Sequence, residues 1–256
     1  MKTIIPIFLI FIFTILSCNE DKDDKVLQAN IAFNFSHKWD GTSVGNADFN
    51  IIKFANANGE QLSISKLRYP ISNITFEKST GEIFVIDGYN LVDVTNNANL
   101  SFTPNTTIPL GAYSKVSFTF GFNNDDNYKE NYADLNSASW IVPEMLGGGY
   151  HFMQLEGKFI DNATAETGYA YHAIRAVDNS KTPQEFQDTF FEVNLGGVTI
   201  TNNAAFNIEM NIAEWFKNPN TWNLNVLNNT LMPNFNAQVM MFENGQNVFS
   251  LESINQ

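Results

Sequence analysis

The stretch Ile31-Ala-Phe-Asn-Phe-Ser-His37 alternates large apolar residues with small or polar ones, so Ile31, Phe33 and Phe35 fall on one face of a strand and His37 follows on that face. A period of two is the mark of a half-buried β-strand. The same pattern recurs at Ile51 to Phe54, Leu67 to Phe76, Ile83 to Ile86, Ala112 to Phe122, Tyr150 to Phe159, Tyr169 to Ile174, Phe186 to Val193 and Ala205 to Ile212. Between the runs stand turn formers: Asn56-Ala-Asn-Gly59, Ser79-Thr-Gly81, Asp87-Gly88 and Asn123-Asn-Asp-Asp-Asn127. Helical signals are confined to one turn at Ile212 to Lys217, ending at Asn218-Pro219, and another at Glu243 to Ser250. The expected fold is all-β, a single-domain antiparallel β-sandwich or flattened barrel with little helix. Phenylalanine is the most abundant aromatic, at 23 in the whole chain, and supplies the cross-strand and inter-sheet packing.

The N-terminus reads differently. Lys2 precedes an apolar run from Ile4 to Leu16, which is shorter than the ~20 residues of a spanning helix and is interrupted by Pro6. The run ends at Ile15-Leu16-Ser17-Cys18, which resembles a lipobox with Ile at the position where Leu is usual. Residues 1–17 are therefore expected to be a lipoprotein signal peptide, and Cys18 to carry the acyl chains. Several chains at ~0.8 kcal/mol per buried CH₂ give an anchoring that one chain does not. Residues 18–28 form the lipidated Cys and an acidic tether, Asn19-Glu-Asp-Lys-Asp-Asp-Lys-Val-Leu27, too polar to fold. The tether resembles the acidic export signal of surface lipoproteins of Bacteroidetes. The expected location is the cell envelope, as an outer-membrane lipoprotein; the export-signal reading of the tether would expose it at the surface, and the competing reading makes the tether a plain solvated linker. Residues 29–256 are left for the β domain.

Cys18 is the only cysteine, which leaves no disulfide, no redox pair and no thiolate metal site for the mature chain. Without Lys2 the mature chain carries 13 basic and 27 acidic residues, a net charge of −14. Such a surface repels phosphate, and nucleic acid is excluded as a partner. No G-x-S-x-G, HExxH or P-loop is present, no carboxylate pair is singled out by spacing, and an enzyme is not expected. Gly147-Gly-Gly149 lacks the Lys-Ser/Thr of a phosphate cradle and reads as a turn. Asp125-Asp126-Asn127 offers oxygen ligands to Ca²⁺ but lacks the Gly and terminal Glu of an EF-hand loop, so an acidic turn is the competing reading.

The chain has three histidines, His37, His151 and His172, and each lies in or at the end of an expected strand. By alternation His151 shares a face with Met153 and Leu155, and His172 with Ala170 and Ile174. Imidazole suits Cu(II) and thioether suits Cu(I), so His37, His151 and His172 with Met153 or Met145 make a candidate copper site. The competing reading keeps one or more of the imidazoles as hydrogen-bonded core residues.

Leu67-Arg-Tyr-Pro-Ile-Ser-Asn-Ile74, Phe120-Gly-Phe-Asn123, Gly149-Tyr-His-Phe-Met-Gln-Leu-Glu-Gly157 and Tyr171-His172 occur in an order that resembles the MbnP-like domain family. Phe33-Asn-Phe-Ser-His37 and Glu243-Asn-Gly-Gln-Asn-Val-Phe249 extend the likeness over about residues 29–254. The resemblance implies a β-rich, extracytoplasmic copper-binding protein, with His37, His151 and His172 at the family's recurrent histidine positions. It also implies a partner, a di-haem peroxidase-like protein or an outer-membrane transport protein of a methanobactin copper-uptake system. Related copper-scavenging proteins use a tryptophan oxidised to kynurenine as a ligand. The methanotroph pattern has tryptophans shortly before the Gly-Tyr pair, where this chain has Met145-Leu-Gly-Gly-Gly149, so that ligand is not carried over. The alternative function is a non-catalytic binding module, for a glycan or a protein partner, on the same fold without the metal. Trp215 and Trp222 would be its sugar platform, unless they pack in the core.

Overall fold

The computed structural model describes residues 26–137 and 139–256; the expected signal peptide, Cys18 and most of the tether lie outside them. Nine long strands carry the fold: β1 (Ile31–Trp39), β2 (Lys66–Glu77), β3 (Ile83–Asp93), β4 (Gly111–Phe120), β5 (Met153–Ile160), β6 (Glu166–Ala173), β7 (Phe191–Ile200), β8 (Ala204–Asn211) and β9 (Phe249–Asn255). The larger sheet runs β7-β4-β2-β5, with β3 on the other edge of β2 and β6 on the other edge of β5. The smaller sheet runs β9-β8-β1 and ends on the short strand Thr42–Ser43. With 11% helix and 45% strand the chain is all-β and sandwich-like, as its period-two runs require.

Pairing is antiparallel except between β1 and β8, which run parallel from Ile31↔Ala204 to Lys38↔Asn211. Parallel neighbours need a long crossover, and here nearly the whole of the larger sheet lies between them in sequence. The inner faces meet through aromatic rings. Phe33 packs edge-on against Phe76 at 6.5 Å, and Phe35 against Phe118 at 6.2 Å. In β1 every second residue, from Ile31 to Trp39, is buried.

Three local expectations are corrected. Phe186 to Val193 is not one strand: Glu185–Gln187 pairs with Ala176–Asp178, and β7 starts at Phe191. The run from Ile51 is strand only at Phe54–Ala55. A helix, α1 (Phe235–Gly245), covers only the first three residues of the turn expected from Glu243 to Ser250, and β9 begins at Phe249. Asn234 caps α1 by accepting from the Ala237 N–H. Its buried face includes Gln238 and Asn244, whose amides bond main-chain groups of other segments.

The edge of β2 is divided between two strands. β4 lies along residues 71–77, and β5 lies against residues 66–68. Gly121 ends β4 at φ 85°, where a Cβ would stand 2.7 Å from the Phe152 ring. The chain leaves there and returns at Tyr150 to start β5. Along β5, Gly157 lies against the segment before β2, and a Cβ at Gly157 would stand 1.9 Å from the Ser63 carbonyl oxygen. That oxygen is backbone, held by Ser63 N–H donating to the Lys158 carbonyl at 2.8 Å. Gly157→Ala is therefore expected to lose about 3 kcal/mol, the upper range for overpacking a close contact. The urea midpoint checks it, and an unchanged midpoint would show that the two segments separate at little cost.

Candidate metal centre

Alternation along β5 starts at Met153, not at Tyr150. Met153 and Leu155 point into the core, fully buried, while Gln154 and Glu156 point to the outer face. His172 on β6 stands opposite Gln154 and shares that outer face. Arg68 and Lys66 of β2 stand opposite Gln154 and Glu156 and complete it. His151 precedes the strand and is placed by a short ladder. Its N–H donates to the Trp140 carbonyl at 3.0 Å, Ile141 bridges Tyr150, and Val142 N–H donates to the Gly149 carbonyl at 2.9 Å. Gly149 has φ 74°, and a Cβ there would meet Asn127 Oδ1 at 2.4 Å; that same oxygen accepts the Tyr150 N–H. The first and last glycines of the Gly149–Gly157 motif thus both mark close approaches.

This arrangement brings His151 and His172 into contact, ring centres 5.2 Å apart and nearly perpendicular. His151 Nδ1 lies 2.9 Å from the Trp140 carbonyl, which can only accept, so Nδ1 carries the proton and Nε2 carries the lone pair. His172 Nε2 lies 2.9 Å from Glu156 Oε1. The carboxylate accepts, which leaves Nδ1 of His172 as the lone-pair nitrogen. Neither His151 Nε2 nor His172 Nδ1 has a hydrogen-bond partner among the described residues. Trp140 Nε1 donates back to the His151 carbonyl at 2.6 Å, and the Arg68 guanidinium lies 5.0 Å from the Trp140 ring centre. α1 supports the far side, Gln238 Nε2 donating to the His172 carbonyl at 2.9 Å.

Burial holds His151 down at about 4, against a smaller upward pull from the Trp140 hydrogen bond. His172 is also lowered, mainly by burial and in spite of Glu156. At neutral pH the His172–Glu156 contact is accordingly a hydrogen bond from a neutral ring rather than an ion pair. Burial raises the Glu156 carboxyl, but hydrogen bonds from Lys66 and His172 outweigh it and keep the group below its ordinary value.

The other expected ligands are elsewhere. His37 faces the space between the sheets, its Nε2 3.0 Å from Tyr69 Oη, and burial lowers it to about 4. Tyr69 and Arg68 are neighbours on β2 and point to opposite faces, so the larger sheet separates His37 from the pair. Met153 lies in the core on that inner side. Met145 sits on the 3₁₀ turn Glu144–Leu146, 73% exposed. The three-histidine cluster with a thioether is thus reduced to two imidazoles. Among the described residues no three of His, Cys, Asp and Glu are grouped to hold a metal. Trp215 and Trp222 are fully buried and form no platform. Sequence reasoning missed Arg68 and Gln238, which reach the pair only through tertiary contacts; Trp140, nine residues before Gly149, lies too far from the Gly-Tyr pair to match the family's tryptophan pattern and was passed over on that ground. Glu156 was within reach, being part of the Gly149–Gly157 motif and one residue short of its end.

The pair passes a simple test for a metal. A ligating nitrogen stands ~2 Å from its ion, so ring centres lie about 3 Å from it and two such rings about 5–6 Å from each other. Each ring has one nitrogen tied to an acceptor and one free, as ligating histidines do when outer groups fix their tautomer. Beside the pair, and sharing Glu156 with it, runs an open trough of about 780 Å³ whose lining includes Asn50, Ser65, Lys158, Glu166 and Asn229.

The fold is similar to that of MbnP from Methylosinus trichosporium, at 16% identity and a TM-score of 0.50 over 77% of this chain and 80% of that one. Among curated proteins there is no match to the chain. The MbnP family model matches residues 28–241. The chain belongs to the MbnP family.

Proposed function

We propose that this protein is a non-catalytic, extracytoplasmic lipoprotein that binds copper on His151 and His172. The observation that carries the reading is the pair itself: two neutral imidazoles in contact, each with one nitrogen fixed by an acceptor and the other free. Imidazole sites follow the order in which Cu(II) exceeds zinc and the other divalent first-row ions. Trp140 and Glu156 set the tautomers, Arg68 covers Trp140, and Gln238 holds the β6 end. Family resemblance extends the reading to a partner, a di-haem peroxidase-like or outer-membrane transport protein.

Calorimetric titration of metal-free protein with Cu(II), with Cu(I) under reductant and with Zn(II) tests it. One copper per chain, bound more tightly than zinc, is expected. Binding of zinc at least as tight as copper would overturn the assignment. Protons compete with metal for the same nitrogens, and both histidines are lowered. Affinity is therefore expected to stay level from pH 8 down to the ordinary His range near ~6.5 and to fall only below it.

Anchoring is a separate part of the proposal. Cys18→Ala is expected to leave an unprocessed or soluble protein, since the thiol accepts the first acyl group. Labelling with radioactive fatty acid decides it, equal label on both proteins being the contrary result. A second reading has the trough in its favour: a binding module for an uncharged, hydroxyl-rich ligand such as an oligosaccharide, lined by amides, hydroxyls and charged groups that are paired, Glu156 with Lys66 and Lys158 with Glu166. Nuclear magnetic resonance shifts of the Asn50 and Asn229 side-chain amides on adding neutral oligosaccharides would support it.

A further inference from the structure

We infer that the exposed thioether of Met145 is the entry ligand for copper, taking Cu(I) from an incoming carrier before the ion reaches His151 and His172; the inference rests on the copper reading above. Met145 is 73% exposed, the most exposed large apolar side chain among the described residues, whereas Met153, Met210 and Met241 are buried. Burial is the ordinary lot of a methionine, and here the fold holds one out in water. The turn that carries it is well defined. Leu146 and Gly148 N–H both donate to the Pro143 carbonyl, at 2.8 and 3.3 Å, and Gly147 N–H donates to Glu144 at 3.0 Å. Gly147, Gly148 and Gly149 follow with φ of 95°, 66° and 74°, a path that residues with a Cβ rarely take. A Cβ on Gly147 would stand 2.8 Å from the Phe186 ring, so that ring props the turn, with the Arg175 guanidinium 4.5 Å from its centre.

The turn is the tip of the hairpin whose stem holds the metal pair in place. Trp140 to Val142 is one arm and Gly149 to His151 is the other. His151 stands two strand residues, about 7 Å, below the base of the tip. Exposed carboxylates flank the tip, Glu144 on the turn and Glu185 and Asp188 beside Phe186, while the nearby Arg175 is engaged by Asp188 at 3.4 Å. Carboxylates draw a cation toward the tip, and a thioether selects a soft one. A single thioether holds Cu(I) weakly, which suits a group that must release it. The step is a ligand exchange. Sulfur donates a lone pair to Cu(I) as a donor of the carrier leaves, then yields in turn to imidazole nitrogen, and copper remains +1 throughout.

Met145→Ile keeps the apolar bulk and removes the sulfur. Stopped-flow mixing of metal-free protein with the Cu(I)–bicinchoninate complex follows transfer by loss of the complex's colour. The variant is expected to receive copper on the order of tenfold more slowly, with its equilibrium affinity unchanged. An unchanged rate would overturn the inference. So would a parallel loss of rate and affinity, which would make Met145 a ligand of the resting site. If wild-type protein takes no copper at equilibrium, the copper reading itself fails and the entry role goes with it, a result separate from the other two.

Discussion

Between pH 7.5 and pH 5 the folded domain is expected to lose about 2 kcal/mol of stability through His37 alone, and on the order of 3 kcal/mol once the pH reaches 4. His37 is buried between the sheets and its folded value is about 4, set by burial. In the unfolded chain it titrates near ~6.5. Between those two values the unfolded state binds a proton that the folded state does not, so stability is complete above ~6.5 and declines as the pH falls to 4. Carboxylates with lowered values, such as Asp161 and Asp178, act in the same direction but only below the ordinary carboxyl range. The window from ~6.5 to 4 therefore belongs to the histidines. For a domain of this size a loss of 3 kcal/mol lowers Tm by roughly 6–12 °C. His37→Gln keeps a side chain able to bond Tyr69 Oη and removes the titration. Its stability is expected to be lower at pH 7.5 but to fall less steeply on acidification. Urea melts at pH 7.5, 6 and 5 check this, and parallel slopes for the two proteins would show that His37 is not the group responsible.

The same histidine shows what was legible in the sequence. Alternation set His37 on the face of Phe33 and Phe35, and that is where it lies, which makes it a core residue; the position that tied it to a metal was the one that buried it. A period of two tells which residues share a face of one strand. It does not tell which face of which sheet will meet another, and three histidines on three strands could not be sorted that way. The fold was readable because half-buried strands repeat their pattern locally. α1 was not, because Gln238 and Asn244 occupy its buried face and interrupt the apolar spacing. His151 was assigned to the face of Met153 on the assumption that β5 began at Tyr150; the strand starts three residues later, and the ladder with Trp140 turns the ring outward. The partners of the metal pair come from segments distant in sequence, β2 for Arg68 and α1 for Gln238, and no local pattern links them to it.

Replacing His151 and His172 together with Ala is expected to reduce copper affinity by at least about a hundredfold, and each single replacement to do nearly as much as the two combined. Changes to the outer groups of a metal site cost about 10–100-fold, and removal of a direct ligand costs more. With two imidazoles as the protein donors, losing either leaves one monodentate nitrogen, so the second replacement has little left to remove. Residues acting on one ion are coupled in this way, and the single losses do not add. Glu156→Gln retains an acceptor for His172 Nε2 but not the charge, and is expected to lose about tenfold. His37→Ala should leave copper affinity unchanged, because the larger sheet stands between His37 and the pair. Titrations of the wild type and the five variants at pH 7.5 separate the outcomes. If the double variant holds copper as tightly as the wild type, the pair is not the site. If His37→Ala loses as much as His151→Ala, the ion is held on the inner side of the sheet and the outer face serves another purpose.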